Sequence, residues 1–130
     1  MKYKGRKGKA WDALRFYVYK RDLIKYKGQC FTCPAFPESF NRQAGHCFPV
    51  GYVGSNNTLS WDERQIRVQC GRCNGPGQGM QSIFKERLKS ELGDEVVAEL
   101  EARQHRVDPV KDWDGVIHNY ENKLLALKKE

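Results

Sequence analysis

The sequence of 130 residues has no long hydrophobic run, no internal repeat and no extended low-complexity tract. No segment approaches the roughly 20 apolar residues that a membrane-spanning helix needs, and the basic N-terminus is not followed by the apolar run of a signal peptide. The missing repeats argue against a solenoid. The length suits one domain with a modest core. We therefore expect a soluble, cytoplasmic, single-domain protein without a membrane partner.

Acidic residues are scarce near the N-terminus, where residues 1–27 hold ten Lys or Arg but only Asp12 and Asp22. The net charge of the chain is +7, and this segment accounts for all of it. A positive field at one end favours binding to a polyanion, because neutralised phosphates release their counterions. Nucleic acid is the leading partner, although basic segments also serve solubility or attract anionic membranes.

Lysine is absent between Lys27 and Lys85, so every basic residue in this stretch is arginine. The arginine guanidinium can bind phosphate through two parallel hydrogen bonds, whereas lysine offers a point charge. These arginines and the basic N-terminus are the predicted DNA-binding residues. The set consists of Lys2, Lys4, Arg6, Lys7, Lys9, Arg15, Arg42, Arg64, Arg67 and Arg72.

Hydrophobic periodicity separates a basic arm, a first helix and a central irregular segment. Residues 1–9 have two glycines and no apolar periodicity, which predicts a flexible arm that follows a DNA backbone. Apolar residues recur at helical spacing over residues 10–26, and Gly28 ends this helix. Residues 29–79 are rich in Gly, Pro and Asn and predict short strands and turns, with residues 66–70 as the clearest strand.

Three apolar stripes predict helices in the C-terminal part of the chain. The first covers residues 80–92, and Asp94 caps the second. Pro109 separates them from a last helix, which begins near Asp112. Its stripe could pack internally or form the interface of a homodimer. That stripe consists of Trp113, Ile117, Tyr120, Leu124 and Leu127.

Four of the five cysteines form two C-x-x-C pairs. They are Cys30, Cys33, Cys70 and Cys73. This spacing lets each pair present two thiolates to one tetrahedral ion, for which zinc is the best candidate. Iron also accepts four thiolates, but no companion redox motif is present, and disulfides are rare in a reducing compartment. A structural zinc ion would shape residues 34–69, which have too little apolar content to fix their own fold.

A histidine lies between the two cysteine pairs, and an asparagine follows the second pair. They are His46, in Ala44-Gly45-His46, and Asn74, in Gln69-Cys70-Gly71-Arg72-Cys73-Asn74. This pattern resembles the HNH nucleases, in the variant of the phage endonuclease VII group that ends in Asn. Together with Ala10-Trp11-Asp12-Ala13 and Trp61-Asp62-Glu63-Arg64, it more closely resembles the phage NinG (Rap) recombination protein family.

The resemblance implies an α+β fold, in which a small zinc-stapled ββα-metal core, treble-clef-like, is flanked by an N-terminal helix and C-terminal helices. Residues 10–106 would form the nuclease domain, and residues 107–130 a helix for packing or dimerisation. The implied activity is metal-dependent hydrolysis of phosphodiester bonds in branched recombination intermediates, such as Holliday junctions or D-loops. The protein would act in the cytoplasm of the host cell of a phage.

The family also supplies roles for the residues of the implied centre. Hydrolysis needs a base for water and a metal that neutralises charge on the phosphate. His46 matches the general base, and Asn74 matches the ligand of a catalytic Mg²⁺ or Mn²⁺ ion. Many HNH nucleases have Asp directly before the base, where this chain has Gly45, so a second carboxylate has to come from elsewhere. Asp62 and Glu63, before the second strand, are the candidates.

Two residues next to these motifs carry further expectations. Gln65 stands where the middle Asn of the HNH motif is expected, and its amide would help to orient His46. Cys47 lies in a short apolar run and is expected to be buried rather than a ligand or a nucleophile.

Two other functions fit the same sequence features. The first is a non-catalytic zinc ribbon that binds DNA or RNA, and the second is a homing or restriction-type HNH nuclease that cuts linear duplex. The combination of His46 with Asn74 favours a nuclease, because a binding module has no use for a base beside a hard-metal ligand.

Overall fold

The computed structural model describes residues 3–128, which form six helices around one antiparallel hairpin. In chain order these elements are α1 (Gly5–Tyr26), β1 (Arg42–His46), α2 (Val50–Val53), β2 (Ile66–Cys70), α3 (Gly71–Asn74), α4 (Gln81–Leu92), α5 (Asp94–Ala102) and α6 (Trp113–Lys128). The predicted α+β class is confirmed. Among residues 3–128, no helix combines the length and the apolar character that a membrane crossing requires.

The first helix begins at Gly5 rather than at Ala10. Residues 5–9 therefore belong to α1, and the prediction of a flexible arm over these positions is wrong. Gly8 is buried within this first part of the helix. Lys2, the first of the predicted DNA-binding residues, lies outside the described residues.

Contacts with distant parts of the chain fix the start of α1. The ammonium of Lys7 donates to Ser55 Oγ over 2.8 Å and to Asn56 Oδ1 over 2.7 Å. The guanidinium of Arg6 pairs with Asp114 near the start of α6, with Nε 2.6 Å from Oδ1. These partners are far away in sequence, so no local pattern reveals that the first basic residues are helical.

The hairpin of β1 and β2 lies at the centre of the fold, with His46 paired to Ile66. Ala44, Ile66 and Val68 share one face of the hairpin and join an apolar cluster with residues of α1 and α6. The strand predicted at residues 66–70 is confirmed, and all five of its residues are buried. Its alternation of apolar and polar residues therefore does not mark a solvent-exposed face, because the fold covers both sides.

The apolar stripe of α6 packs within the chain over its N-terminal half. Ile117 and Tyr120 are buried in the cluster that α1 and the hairpin share. The ring centroids of Trp113 and Trp61 are 4.8 Å apart, and the Tyr120 hydroxyl donates to the Trp61 carbonyl oxygen over 2.5 Å. Internal packing, which was the first of the two expectations for this stripe, is thus what the structure shows here.

A second apolar cluster joins α4 and α5 to the loops around the hairpin. Its core members include Phe31, Phe48, Leu59, Phe84 and Leu100. Since Phe48 follows His46 closely in the chain, this cluster anchors the segment that leaves β1 and so helps to position the site described next.

Candidate active site

Four cysteine sulfurs converge between the turn after α1 and the junction of β2 with α3. They belong to Cys30, Cys33, Cys70 and Cys73, and all four Sγ atoms lie within 4.8 Å of one another. Such a cluster could hold a metal ion such as zinc, which four thiolates bind tetrahedrally. Within residues 3–128 it is the only group of three or more His, Cys, Asp or Glu side chains that is placed to hold a metal ion.

The thiols of this protein differ in their tendency to ionise. Burial alone would raise the pKa of Cys30, but hydrogen bonds from the backbone N–H groups of Cys70 and Thr32 outweigh it and lower that pKa to about 7. The backbone N–H of Cys70 donates to Cys30 Sγ over 3.3 Å. Cys47 lies apart in the second apolar cluster, where burial raises its pKa to about 12. Its expected burial is confirmed, and such a thiol is unsuited to nucleophilic attack at neutral pH.

A cavity of about 440 Å³ opens beside the end of β1. His46 and Asn74 both line this cavity, together with Trp11 of α1 and with Gln78 and Gln81 near the start of α4. The structure therefore brings together the predicted base and the predicted metal ligand. No carboxylate among the described residues lines this cavity.

Contacts from two other segments hold the imidazole of His46. Its Nε2 donates to the carbonyl oxygen of Ser60 over 2.8 Å, because a carbonyl can only accept. The ring lies nearly parallel to that of Trp11, with centroids 5.8 Å apart and an interplanar angle of 18°. In the neutral ring, protonation at Nε2 leaves the lone pair on Nδ1.

Gln65 precedes Ile66, the strand partner of His46, and is completely buried. Its Oε1 accepts from the backbone N–H of Phe48 over 3.0 Å, and its Nε2 donates to the Leu59 carbonyl over 2.9 Å. The amide thus bridges the segment that follows His46 and the segment that carries Ser60. Gln65 does not line the cavity itself, and its role in orienting His46 stays a prediction.

Asn74 ends α3, directly after the last cysteine of the cluster. Its Nδ2 donates to Gln43 Oε1 over 2.6 Å. The Oδ1 atom of the same amide faces Gly45, since a Cβ atom built on Gly45 would lie 3.0 Å from it. The oxygen that could bind a cation is therefore turned towards the residue before His46.

Asp62 and Glu63 lie outside this cavity and line a different one, of about 730 Å³. Asp62 caps a 3₁₀ turn and pairs with Arg64 and Arg103. Burial would raise the pKa of Asp62, but hydrogen bonds from these two arginines lower it. Glu63 pairs with Arg21. The structure therefore does not place either predicted carboxylate beside Asn74, because arginines from distant parts of the chain turn both side chains away.

The predicted DNA-binding residues differ in exposure. Lys4, Lys9 and Arg72 are exposed and form no ion pair with another of residues 3–128, whereas several others are engaged by the protein. Lys7 and Arg6 make the contacts with Ser55, Asn56 and Asp114 described above, Arg15 pairs with Asp12, Arg64 pairs with Asp62, and Arg42 is half-buried.

Arg67 is buried, with only 4% of its surface exposed, and its prediction as a DNA-binding residue is wrong. It lies on β2, which is covered on both faces. Its guanidinium donates to the backbone carbonyls of Glu63 and Arg64 and pairs with Glu91 of α4. A buried arginine of this kind holds structure and is not available to phosphate.

Sequence reasoning missed two side chains of the site, Trp11 and Gln69. The sequence places Trp11 in the first helix and in the motif Ala10-Trp11-Asp12-Ala13 without a role at the site, yet its ring lies against His46. Gln69 lies on the same face of the hairpin as Gly45 and is completely buried. No sequence signal would have found it, because the burial of its amide follows from the fold, which covers both faces of β2.

A comparison with protein families shows the family to which the chain belongs. A family model described as the bacteriophage lambda NinG protein matches residues 3–130. The chain belongs to the NinG family. Neither a comparison with curated proteins nor one with solved structures found a match. In this NinG-family chain, the matched residues include the cysteine cluster and every residue named in the His46 cavity.

Proposed function

We propose that this NinG-family protein is a metal-dependent endonuclease that hydrolyses phosphodiester bonds in DNA. The observation that carries the proposal is the placement of His46 and Asn74 in one cavity, next to the cysteine cluster. A fixed imidazole and a hard-metal ligand are the two groups that such hydrolysis requires. The order β1, β2 and α3, with the proposed base at the end of the first strand, supports the proposal, because a ββα-metal centre would have this order.

In this mechanism His46 acts as the general base. Because its Nε2 is committed to the Ser60 carbonyl, Nδ1 accepts a proton from the attacking water. The water oxygen then bonds to phosphorus as the bond between phosphorus and the leaving sugar oxygen breaks. Trp11 restricts rotation of the imidazole, which keeps the basic nitrogen in one direction.

Asn74 would hold Mg²⁺ or Mn²⁺ through Oδ1, and the ion would supply charge neutralisation at the phosphate. An amide oxygen suits a hard cation that keeps several waters. Since no described carboxylate lines the cavity, we expect weak binding of the ion to the protein alone. The negative phosphate oxygens of DNA would strengthen that binding.

Zinc has a structural role in the proposal. Four thiolates complete its tetrahedral coordination, which leaves no position for water or substrate. Because Asn74 directly follows Cys73, the zinc site would also fix the position of the metal-binding amide.

Branched recombination intermediates, such as Holliday junctions or D-loops, are the proposed substrate. The basis is the resemblance to phage recombination proteins, together with the exposed Lys4, Lys9 and Arg72, which offer charge to a phosphate backbone. Two coordinated cuts in a junction would favour a homodimer.

A non-catalytic nucleic-acid-binding module is the second candidate function. The observation that favours it is the absence of a carboxylate from the described lining of the His46 cavity. The nuclease should cleave DNA and the binding module should not, so a single cleavage assay separates the two candidate functions.

The deciding experiment compares cleavage of linear, flap and four-way DNA by zinc-loaded protein with Mg²⁺ or Mn²⁺. We expect His46→Ala to reduce the rate by about 10²- to 10⁴-fold, which is the usual contribution of a general base. His118→Ala is the matched control, because His118 is exposed on α6 and away from the cavity. No metal-dependent cleavage of any substrate by the wild-type protein would favour the binding module.

A further inference from the structure

A buried amide oxygen beside the His46 cavity has no hydrogen-bond donor among the described residues. It is Oε1 of Gln69, whose residue exposure is 0%. Buried acceptors in folded proteins are nearly always satisfied, so an exception needs a specific cause. The oxygen requires a partner that the described part of the chain does not provide.

The orientation of this amide is fixed from its other end. Gln69 Nε2 donates to Thr32 Oγ1 over 2.9 Å and to the Gly79 carbonyl oxygen over 2.8 Å. A carbonyl can only accept, so turning the amide round would place two acceptors against each other. Gly79 itself lines the His46 cavity.

The oxygen of Gln69 points to the position that a side chain on Gly45 would fill. A Cβ atom built there would lie 1.8 Å from Gln69 Oε1 and 3.0 Å from Asn74 Oδ1. Two amide oxygens, one of them unpartnered and buried, therefore converge beside the residue that precedes His46. Glycine is required at this place because any side chain would displace the Gln69 oxygen.

We infer that Gln69 Oε1 is a second protein ligand, together with Asn74 Oδ1, for the divalent cation of the proposed nuclease. The inference rests on the proposed function and supplies the ligand that Asp62 and Glu63 do not. Amide oxygens are hard donors that suit Mg²⁺. An ion held by two neutral oxygens keeps its whole double charge for the phosphate, which compensates for the missing carboxylate.

A pair of Gln69 variants separates a ligand from a structural residue. Gln69→Met and Gln69→Glu both remove the Nε2 donors, but only Glu retains an oxygen towards Gly45. Mg²⁺ is titrated into zinc-loaded, ¹⁵N-labelled protein, and binding is followed by the NMR shifts of the Gly45 backbone amide and the Asn74 side-chain amide. We expect Gln69→Met to weaken Mg²⁺ binding by about 10- to 100-fold, the range found for groups that support a metal site. Gln69→Glu should bind Mg²⁺ at least as tightly as the wild type.

A second design restores a carboxylate in the same space, in case a buried Glu prevents folding. Gln69→Ser removes the obstructing oxygen, and Gly45→Asp is then added to it. The double variant should bind Mg²⁺ more tightly than Gln69→Ser alone. Zinc content and the melting temperature of each variant show that the fold is retained.

The outcomes distinguish this inference from the function on which it rests. Equal Mg²⁺ affinity in the wild type and in Gln69→Met would overturn the role of Gln69, and loss of binding in Asn74→Ala would at the same time preserve the proposed metal site. A wild-type protein that shows no saturable Mg²⁺ shifts at Gly45, either alone or with bound DNA, would overturn both.

Discussion

Three parts of the described chain contact His46 and help to orient it. Trp11 lies against its ring, the Ser60 carbonyl accepts from its Nε2, and the side chain of Gln81 donates to its backbone carbonyl over 3.5 Å. None of these contacts depends on a catalytic metal. The imidazole is therefore preorganised, and its removal should change reactivity far more than folding.

At position 45, we expect an added methyl group to destabilise the protein. In Gly45→Ala the new Cβ would lie 1.8 Å from Gln69 Oε1, so Gln69 must shift and lose its hydrogen bonds to Thr32 and Gly79. We expect a loss of about 1–3 kcal/mol in the free energy of unfolding, measured by chemical denaturation, as for other overpacked cores.

Gly51→Ala is the matched control for this substitution. Gly51 lies in α2, and an added Cβ would meet no atom within 4 Å. Its stability should be unchanged or slightly raised, because Ala favours helix over Gly by up to about 1 kcal/mol. Equal stability of the two variants would contradict the close approach of Gln69 to Gly45.

At the scale of elements, α1 is joined to the hairpin by a buried charge as well as by apolar packing. Asp22, which is 1% exposed, accepts from the backbone N–H of Val68 over 2.7 Å and pairs with Arg21. Arg21 in turn donates to the Ile66 carbonyl. Both side chains thus act as links between the last turns of α1 and β2, which carries Gln69.

Substitution of Asp22 tests this link. Asp22→Ala leaves the buried Val68 N–H without its acceptor and removes one of the two carboxylates that pair with Arg21, the other being Glu63. We expect a loss of about 1–3 kcal/mol in unfolding free energy. Asp12→Ala is the control, since Asp12 forms a partly exposed pair with Arg15 on the same helix, which should contribute at most about 1 kcal/mol. Thermal and chemical unfolding of both variants give the comparison, and similar losses would argue against the link.

The sequence predicts elements well where their signals are local. Gly28 and the apolar spacing predict the end of α1, whereas its start at Gly5 depends on Ser55 and Asp114, which no local pattern reveals. The position of the acidic pair also depends on distant residues. The sequence predicts Asp62 and Glu63 beside the catalytic metal, but ion pairs with Arg103 and Arg21 hold these carboxylates elsewhere.

At the scale of the whole molecule, the cysteine cluster joins the turn after α1 to the end of the hairpin. The C-x-x-C spacing predicted this cluster because each pair is local, and the sulfurs of the two pairs do meet. The role of Gln69 could not be predicted, since its unpartnered oxygen is recognised only after the strand register and Gly45 are known.

Removal of the metal should unfold the region around the cysteine cluster. Cys70→Ser, or chelation of the wild-type protein, is expected to abolish zinc binding and cooperative unfolding, because the binding free energy of such sites is folding free energy. Zinc content by mass spectrometry and unfolding by circular dichroism check this expectation. Cys47→Ala is the control, as Cys47 lies outside the cluster and should keep one zinc ion per chain.

A decrease in pH should also release the zinc ion from the cysteine cluster. Thiols bind zinc only after they lose their protons, so zinc affinity should fall as the pH decreases. The pKa of Cys30, lowered to about 7, makes its thiolate available at neutral pH. A zinc affinity that does not change on acidification would contradict coordination by these thiolates.

Chemical rescue tests the central claim, that His46 activates water at a metal held by Asn74, most directly. The measurement is the rate at which zinc-loaded His46→Gly cuts DNA in Mg²⁺, with and without added imidazole. We expect His46→Gly to be folded and nearly inactive, and imidazole to restore part of its cleavage. Imidazole should not restore cleavage by Asn74→Ala. Cleavage by His46→Gly at the wild-type rate without imidazole would contradict the central claim.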